Sequence, residues 1–81
     1  MSMTKREKIK FYATAPRAYA ATISQIEDGD FVQYWVGKLR GRIVSYKGQQ
    51  YKFKTKDEAI ECARRFRQSC RDDAERLGIA L

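Results

Sequence analysis

The sequence contains no histidine, and it has only two cysteines and one proline among its 81 residues. The missing imidazole excludes histidine-containing zinc sites and every catalytic triad or dyad that uses histidine as its base. The opening residues are polar and basic, and no charge-free run approaches the roughly 18 apolar residues that a membrane span needs. We therefore expect a cytoplasmic protein with no membrane segment and no signal peptide.

The two cysteines, Cys62 and Cys70, fall within one predicted helix. At a rise of about 1.5 Å per residue they are roughly 12 Å apart, which exceeds the reach of a disulfide. We expect both to be reduced thiols packed in the core, in keeping with a reducing compartment.

The acidic residues are not arranged for catalysis. Asp28 and Asp30 flank a predicted turn, whereas Asp72 and Asp73 fall on the surface of a predicted helix. No glycine-rich phosphate loop precedes a helix. The sequence therefore predicts a protein that is not an enzyme and that has neither a metal site nor a cofactor.

The positive charge is concentrated in one stretch of the chain. There are 17 Lys and Arg against 10 Asp and Glu, which gives a formal net charge of +7. Seven of these cations and no acid lie between residues 38 and 56. Scattered lysines would serve solubility alone, whereas a concentrated basic stretch is typical of a face that binds a polyanion.

The clearest secondary-structure pattern is a C-terminal helix over 55–78. Thr55-x-x-Glu58 is typical of a capping box, and Gly78 is typical of a helix C-cap. Between them, apolar residues recur at spacings of three and four, which predicts one buried stripe along the helix.

Ahead of this helix, residues 19–54 show the alternation that is typical of antiparallel strands. Asp28-Gly29 favours a hairpin turn, and either Ile43 or Val44 could face the core. The expected fold class is α+β, a three- or four-stranded antiparallel meander with one C-terminal helix packed on one face. The strands are predicted at 19–26, 31–37, 40–46 and 50–54.

Residues 1–12 precede this core and carry several cations. Ile9 and Phe11 alternate with Lys8 and Lys10, which favours a short edge strand, whereas a charged chain terminus favours a mobile basic arm. Both alternatives stay open at this point. The whole chain, 1–81, is expected to form a single domain, because it is too short for two hydrophobic cores.

Pairing of the strands at 40–46 and 50–54 predicts a basic β-hairpin that binds nucleic acid. A two-stranded ribbon fits the major groove, where its cations would contact phosphates. Tyr34 and Tyr46 lie on the same or neighbouring strands, so base stacking on a single-strand platform, or contact with a partner, is an alternative. The predicted nucleic-acid-binding residues are Lys38, Arg40, Arg42, Lys47, Lys52 and Lys54.

The stretch from Arg40 to Leu77 resembles the three-strand-plus-helix DNA-binding domain of plant ethylene-response factors. Related domains precede phage homing endonucleases and lie at the N-terminus of tyrosine recombinases. The resemblance consists of a strand, a Lys-Gly turn, a strand that ends in Phe53-Lys54-Thr55, and a helix that opens with Asp57-Glu58-Ala59. It implies that the sheet enters the major groove, with the outward strand positions at Arg40, Arg42, Lys52 and Lys54.

The longer stretch from Tyr19 to Ala63 is similar to the partial ribonuclease-H-like domain of HicB-type antitoxins. It shares the order of strand, Glu-Asp-Gly turn, strand, Leu39-Arg40-Gly41, strand, and Thr-x-x-Glu-Ala before a helix. The Pro-Asp-Leu-Pro-Gly motif of that family corresponds here to Gly-Lys-Leu-Arg-Gly. This second resemblance implies an inhibitor that binds a protein.

Two hypotheses follow from the sequence. The first is a small nucleic-acid-binding module, for DNA over RNA, of the kind that a phage or mobile element encodes. The second is a small protein-interaction module or inhibitor, antitoxin-like or a host-directed phage factor, which binds a protein partner through the strand at 31–37. A homodimer is a further expectation, since so small a core would gain from a second copy.

Overall fold

The computed structural model describes residues 2–46, 48 and 50–81. Its elements confirm the predicted α+β class and antiparallel sheet, and they add a second helix near the N-terminus. No helix in the described part of the chain is long and apolar enough to cross a bilayer. In chain order the elements are α1 (Lys5–Ala13), β1 (Ala18–Glu27), β2 (Asp30–Leu39), β3 (Arg42–Ile43), β4 (Lys52–Phe53) and α2 (Lys56–Leu77).

Helix α1 corrects the expectation of a mobile arm or an edge strand over 1–12. Its N-cap is Thr4, whose side chain accepts a hydrogen bond from the backbone N–H of Glu7 and donates one to the Glu7 carboxylate. Thr55 and Glu58 repeat both bonds at the start of α2, as predicted. The same Thr-x-x-Glu signal was therefore present at both helices.

The hairpin of β1 and β2 is the longest part of the sheet. Its register ends with Glu27 opposite Asp30. The two turn residues, Asp28 and Gly29, have φ angles of 50° and 84°, and a type I′ turn requires positive φ at both positions. The turn predicted from Asp28-Gly29 is confirmed.

The predicted hairpin between 40–46 and 50–54 does not form. β3 and β4 both pair with β2, one after the other along its second edge, and they do not pair with each other. The chain leaves β2 through a two-residue turn, Arg40-Gly41, with φ angles of 49° and 78°. The strand predicted to begin at Arg40 therefore begins inside a turn, and only its residues 42–43 pair in the sheet.

Helix α2 packs across one face of the sheet, which we call the helix face. Gly37 of β2 marks the crossing, because a Cβ atom there would overlap the carbonyl oxygen of Ala59 and lie 3.0 Å from the Cβ of Ala63. Side chains alternate along a strand, so fully buried Leu39 shares the helix face with Gly37. The other side of the sheet, the open face, carries the intervening residues.

The core lies between the two helices and the end of the sheet nearest α1. Val44 faces this core and Ile43 does not, since Val44 is 4% exposed and Ile43 is 47% exposed. Cys62 and Cys70 are free and buried, as predicted, and burial together with the charge of Asp73 raises the pKa of the Cys70 thiol to about 11. The core contains two buried clusters, one of Ile9, Ala13, Cys70 and Ala74 and one of Ala15, Leu39, Val44 and Ala63.

The hairpin projects from this core and gives the molecule its elongated shape, 48 by 28 by 20 Å. At its tip, residues 26–31, Ile26 lies opposite Phe31 on the helix face. These side chains are 69% and 79% exposed, respectively, so helix α2 does not cover the tip.

Candidate functional site

Of the six cations predicted to share one hairpin surface, the structure describes five, and these five do not lie on one surface. Arg40 turns towards α1, where its Nε donates to the carbonyl of Phe11 at 2.9 Å and a terminal nitrogen donates to that of Thr14 at 3.1 Å. The guanidinium groups of Arg42 and Arg40 both lie over the phenyl ring of Phe11, 5.0 Å and 5.2 Å from its centroid, respectively. These two arginines are engaged with the end of a helix.

Two arginines of α2 contact the same helix end. Arg67 donates to the carbonyl of Ala15 at 3.3 Å, and Arg71 donates to that of Ala13 at 3.0 Å. Burial lowers the pKa of Arg67, and the like charges of Arg71 and Arg64 lower it further. We call Arg40, Arg67 and Arg71 the arginine clamp, because they satisfy carbonyls that the end of α1 leaves without helical partners.

The open face carries Lys38 and Lys52 and two of the partly buried aromatic residues of the sheet, Tyr19 and Tyr34. No helix or strand of the described chain lies over it, since α2 packs on the helix face and α1 packs on α2. By the register of the strands, the open face consists of Tyr19, Ala21, Ile23, Gln25 and Glu27 of β1, Asp30, Val32, Tyr34, Val36 and Lys38 of β2, Ile43 of β3 and Lys52 of β4.

Lys52 and Tyr34 form the centre of the open face. The Lys52 ammonium donates to the Oε1 of Gln25 at 2.7 Å and lies 4.9 Å from the centroid of the Tyr34 ring. Its distance to the Tyr51 ring is 5.8 Å. The Lys52 side chain therefore extends from β4 across the sheet. Its contacts are a neutral amide and two rings, and none of them neutralises its positive charge.

The Tyr34 hydroxyl is held at the acidic end of the open face. It donates to the Glu27 carboxylate, with both oxygens at 2.8 Å. This hydrogen bond raises the pKa of Tyr34, and partial desolvation and the charge of Glu27 add to the effect. The ring is therefore fixed in position between an acid at the tip and a lysine at the centre.

A second pair of an aromatic ring and a cation lies at the other end of the open face. The guanidinium carbon of Arg17 is 5.4 Å from the centroid of the Tyr19 ring. Lys38 is directly opposite Tyr19 in the strand register. The open face thus carries two rings, Tyr19 and Tyr34, with the cations Arg17, Lys38 and Lys52 beside them. This arrangement can bind phosphate and stack planar groups.

The structure therefore brings together three of the predicted site residues, Lys38, Lys52 and Tyr34. Arg40 and Arg42 lie against α1, and Lys54 is exposed just beyond β4. Tyr46 lies beside α2, where it lines a groove with Arg65 and Cys62. Lys47 falls outside the described residues.

Three residues that contribute to the open face were not predicted. Arg17 and Tyr19 contribute the second ring and cation, and Gln25 positions Lys52. The available signal was the alternation of Tyr19 with residues 21 and 23 within a predicted strand, which places all three on one side.

Comparison of the chain with protein-family models, with curated proteins and with solved structures found no match.

Proposed function

We propose that this protein binds single-stranded nucleic acid, DNA over RNA, on the open face of its sheet. The observation that carries the proposal is the contact of Lys52 with Tyr34 on a sheet surface that neither helix of the described chain covers. Lysines pair with phosphates regardless of sequence, and tyrosine rings stack with any base. Tyr19 and Tyr34 lie on neighbouring strands, four strand positions apart along the sheet. A sheet face with two rings so placed offers both kinds of contact side by side.

Single-stranded ligands suit this surface better than the major groove of a duplex. Among the described residues, β3 and β4 each pair with β2 and not with each other, so they do not form the two-stranded basic ribbon expected from the sequence. Arg40 and Arg42 are directed towards α1 on the other side of the sheet. Val36, at the middle of this face, is 1% exposed, but the face has no helix of the described chain over it. The bases of a single strand could therefore lie flat on the rings while its phosphates reach the lysines.

The charges along the open face define where the strand lies. Glu27 and Asp30 at the tip repel phosphate, whereas Arg17, Lys38 and Lys52 attract it. The bound strand therefore occupies the half of the face between Tyr34 and Arg17. On binding, Lys52 exchanges the amide oxygen of Gln25 for a phosphate oxygen, and the ring of Tyr34 becomes free to stack.

The first test is a double charge reversal, Lys38→Glu with Lys52→Glu. Each phosphate contact contributes about 0.7 to the log-log salt slope on a single strand, so losing two makes the slope shallower by roughly 1.4. We expect the dissociation constant for a labelled random oligonucleotide to rise by about 10- to 100-fold. Fluorescence anisotropy over a salt series measures both quantities.

The matched control is Arg6→Glu with Lys8→Glu on α1, which changes the net charge equally with exposed residues away from the open face. We expect this control to lose less than about threefold in affinity. Equal losses in the two variants would assign binding to overall charge and contradict the open face as the site. If wild type fails to bind at low salt, the protein-partner hypothesis replaces this one.

The second test separates stacking from charge at Tyr34. Tyr34→Ala removes a ring, and stacking contributes about 1–3 kcal/mol per base, so affinity should fall by roughly 5- to 150-fold with the salt slope unchanged. Tyr34→Phe keeps the ring and loses only the hydrogen bond to Glu27, so it should bind within about threefold of wild type. Equal weakening by the two variants would mean that the hydroxyl, not stacking, matters.

A further inference from the structure

Strand β1 lies at the edge of the sheet and has no protection against pairing. It is hydrogen bonded to β2 on one side only, and no described strand pairs with its outer edge. Its ten residues, AYAATISQIE, contain no lysine, no proline and a single charge at the last position. Soluble proteins normally block such edges with charges, proline, bulges or a covering segment. About half of these residues direct backbone N–H and C=O groups outward without a partner in the sheet.

We propose that β1 pairs with β1 of a second copy of this chain, antiparallel and about a twofold axis perpendicular to the sheet. The two four-stranded sheets then form one continuous sheet. This inference goes beyond the proposed function, because the strand pairing rests on the edge of the sheet, and of the charges described on the open face its orientation uses chiefly Arg17 and Glu27. An isologous pair of this kind uses the same residues from both copies and closes as a dimer.

The alternation of the strand restricts the register. The open faces of the two copies stay on one side only when odd-numbered residues oppose odd-numbered residues. In such a register one residue lies opposite the same residue of the second copy, and the twofold axis passes between them. Nearly the whole strand pairs when that residue is Thr22 or Ile23, at the middle of β1. Thr22 is exposed and Ile23 is half-buried, so an approaching strand meets no bulky charged side chain there.

Charge complementarity supports the antiparallel orientation. Arg17 lies just before β1 and Glu27 ends it, so antiparallel pairing brings each Arg17 to Glu27 of the partner subunit. Asp28 and Asp30 add to the acidic tip, whereas Lys38 adds to the basic end of the same hairpin. The acidic tip of each copy thus lies against the basic end of the other, which offsets the repulsion between two chains of net charge +7.

The exposed side chain of Ile26 finds a fitting surface in the same arrangement. It lies on the helix face at the end of β1 that α2 does not cover. In the dimer it meets the small side chains Ala18 and Ala20 of the partner subunit, close to where that subunit's α2 packs on its own β1. A side chain that is 69% exposed in one chain is therefore buried between two.

The first test is the molecular mass in solution, measured by sedimentation equilibrium up to roughly 100 µM in reducing buffer. Wild type should approach twice the chain mass of 9.5 kDa. Thr22→Lys places two like charges next to the axis and should raise the dimer dissociation constant by about tenfold or more. Gln50→Lys adds the same charge on an exposed loop position before β4 and should leave the constant unchanged.

A charge-swap cycle tests the orientation even if Thr22→Lys disturbs the strand. Arg17 and Glu27 of one chain are ten strand residues apart, roughly 33 Å, so they can interact only across two copies. Arg17→Glu and Glu27→Arg should each weaken the dimer, and the double swap should restore the wild-type constant to within about threefold. A monomeric wild type at the highest concentration, or additive single effects, would overturn the proposal.

Discussion

Replacing Gly37 with alanine should destabilise the domain by at least about 3 kcal/mol, which is the upper part of the range for overpacking. The added Cβ would overlap the backbone carbonyl oxygen of Ala59, and a helix backbone cannot move aside as a side chain can. A domain of this size has roughly 4–12 kcal/mol of stability in total. Urea unfolding, followed by the fluorescence of Trp35, measures the loss in the free energy of unfolding. A loss of this size could leave a substantial fraction of the variant unfolded at 37 °C.

Two companion variants identify the cause of that loss. Gly48→Ala adds the same methyl group where a Cβ meets no atom within 4 Å, so only its positive φ of 74° costs stability, about 1 kcal/mol. Ala63→Gly removes the second atom near the new Cβ but leaves the Ala59 carbonyl in place. It should therefore fail to rescue Gly37→Ala. A rescue would mean that the clash is with the Ala63 methyl group and not with the backbone of α2.

The sequence predicts the elements whose signals are local. Thr55 and Glu58 begin α2 and Gly78 ends it, because capping depends on residues within one turn of each other. The Asp28-Gly29 turn forms for the same reason. Helix α1 has an equally local signal in Thr4-x-x-Glu7, but the alternation around Ile9 pointed to a strand, and the two patterns conflict over so short a stretch.

The turn at Arg40 depends on contacts that no local pattern contains. A non-glycine residue with a φ of 49° is unfavourable, and arginine is not a residue that usually occupies such a position. Its guanidinium donates to carbonyls of Phe11 and Thr14, which lie 29 and 26 residues earlier in the chain, respectively. Because these bonds are made only in the folded protein, the sequence alone favoured a strand at 40–46, and the predicted hairpin was wrong.

The candidate site could be predicted in part. Charge density directs attention to Lys38 and Lys52, but density does not tell which side of a sheet a residue faces. That is decided by the register, which pairs Lys52 with Val36 and Ile43 with Lys38. Since a shift of one residue exchanges the two faces of a strand, the partition of the cations could not be derived from composition.

Removing two members of the arginine clamp, Arg40→Ala with Arg71→Ala, should destabilise the protein by about 2–4 kcal/mol. Hydrogen bonds from a charged donor contribute roughly 1.5–3 kcal/mol each, and solvent exposure of both side chains reduces the sum. The positive charges also stabilise the C-terminal end of α1, where the helix dipole is negative. Urea unfolding gives the free energy, and hydrogen exchange should show faster exchange in α1 than in α2.

The control for stability is Arg64→Ala, at an exposed arginine of the same helix as Arg71, which should change stability by less than about 0.5 kcal/mol.

The single variant Arg40→Ala also discriminates between the two possible locations of the nucleic-acid site. Because Arg40 is engaged with α1 and not with the open face, Arg40→Ala should bind an oligonucleotide as well as wild type while folded. If it binds as weakly as Lys52→Glu, Arg40 contacts phosphate as the sequence suggested. If the affinity is unchanged and the stability is lowered, Arg40 stabilises the fold, and Lys38 and Lys52 are the residues that bind phosphate.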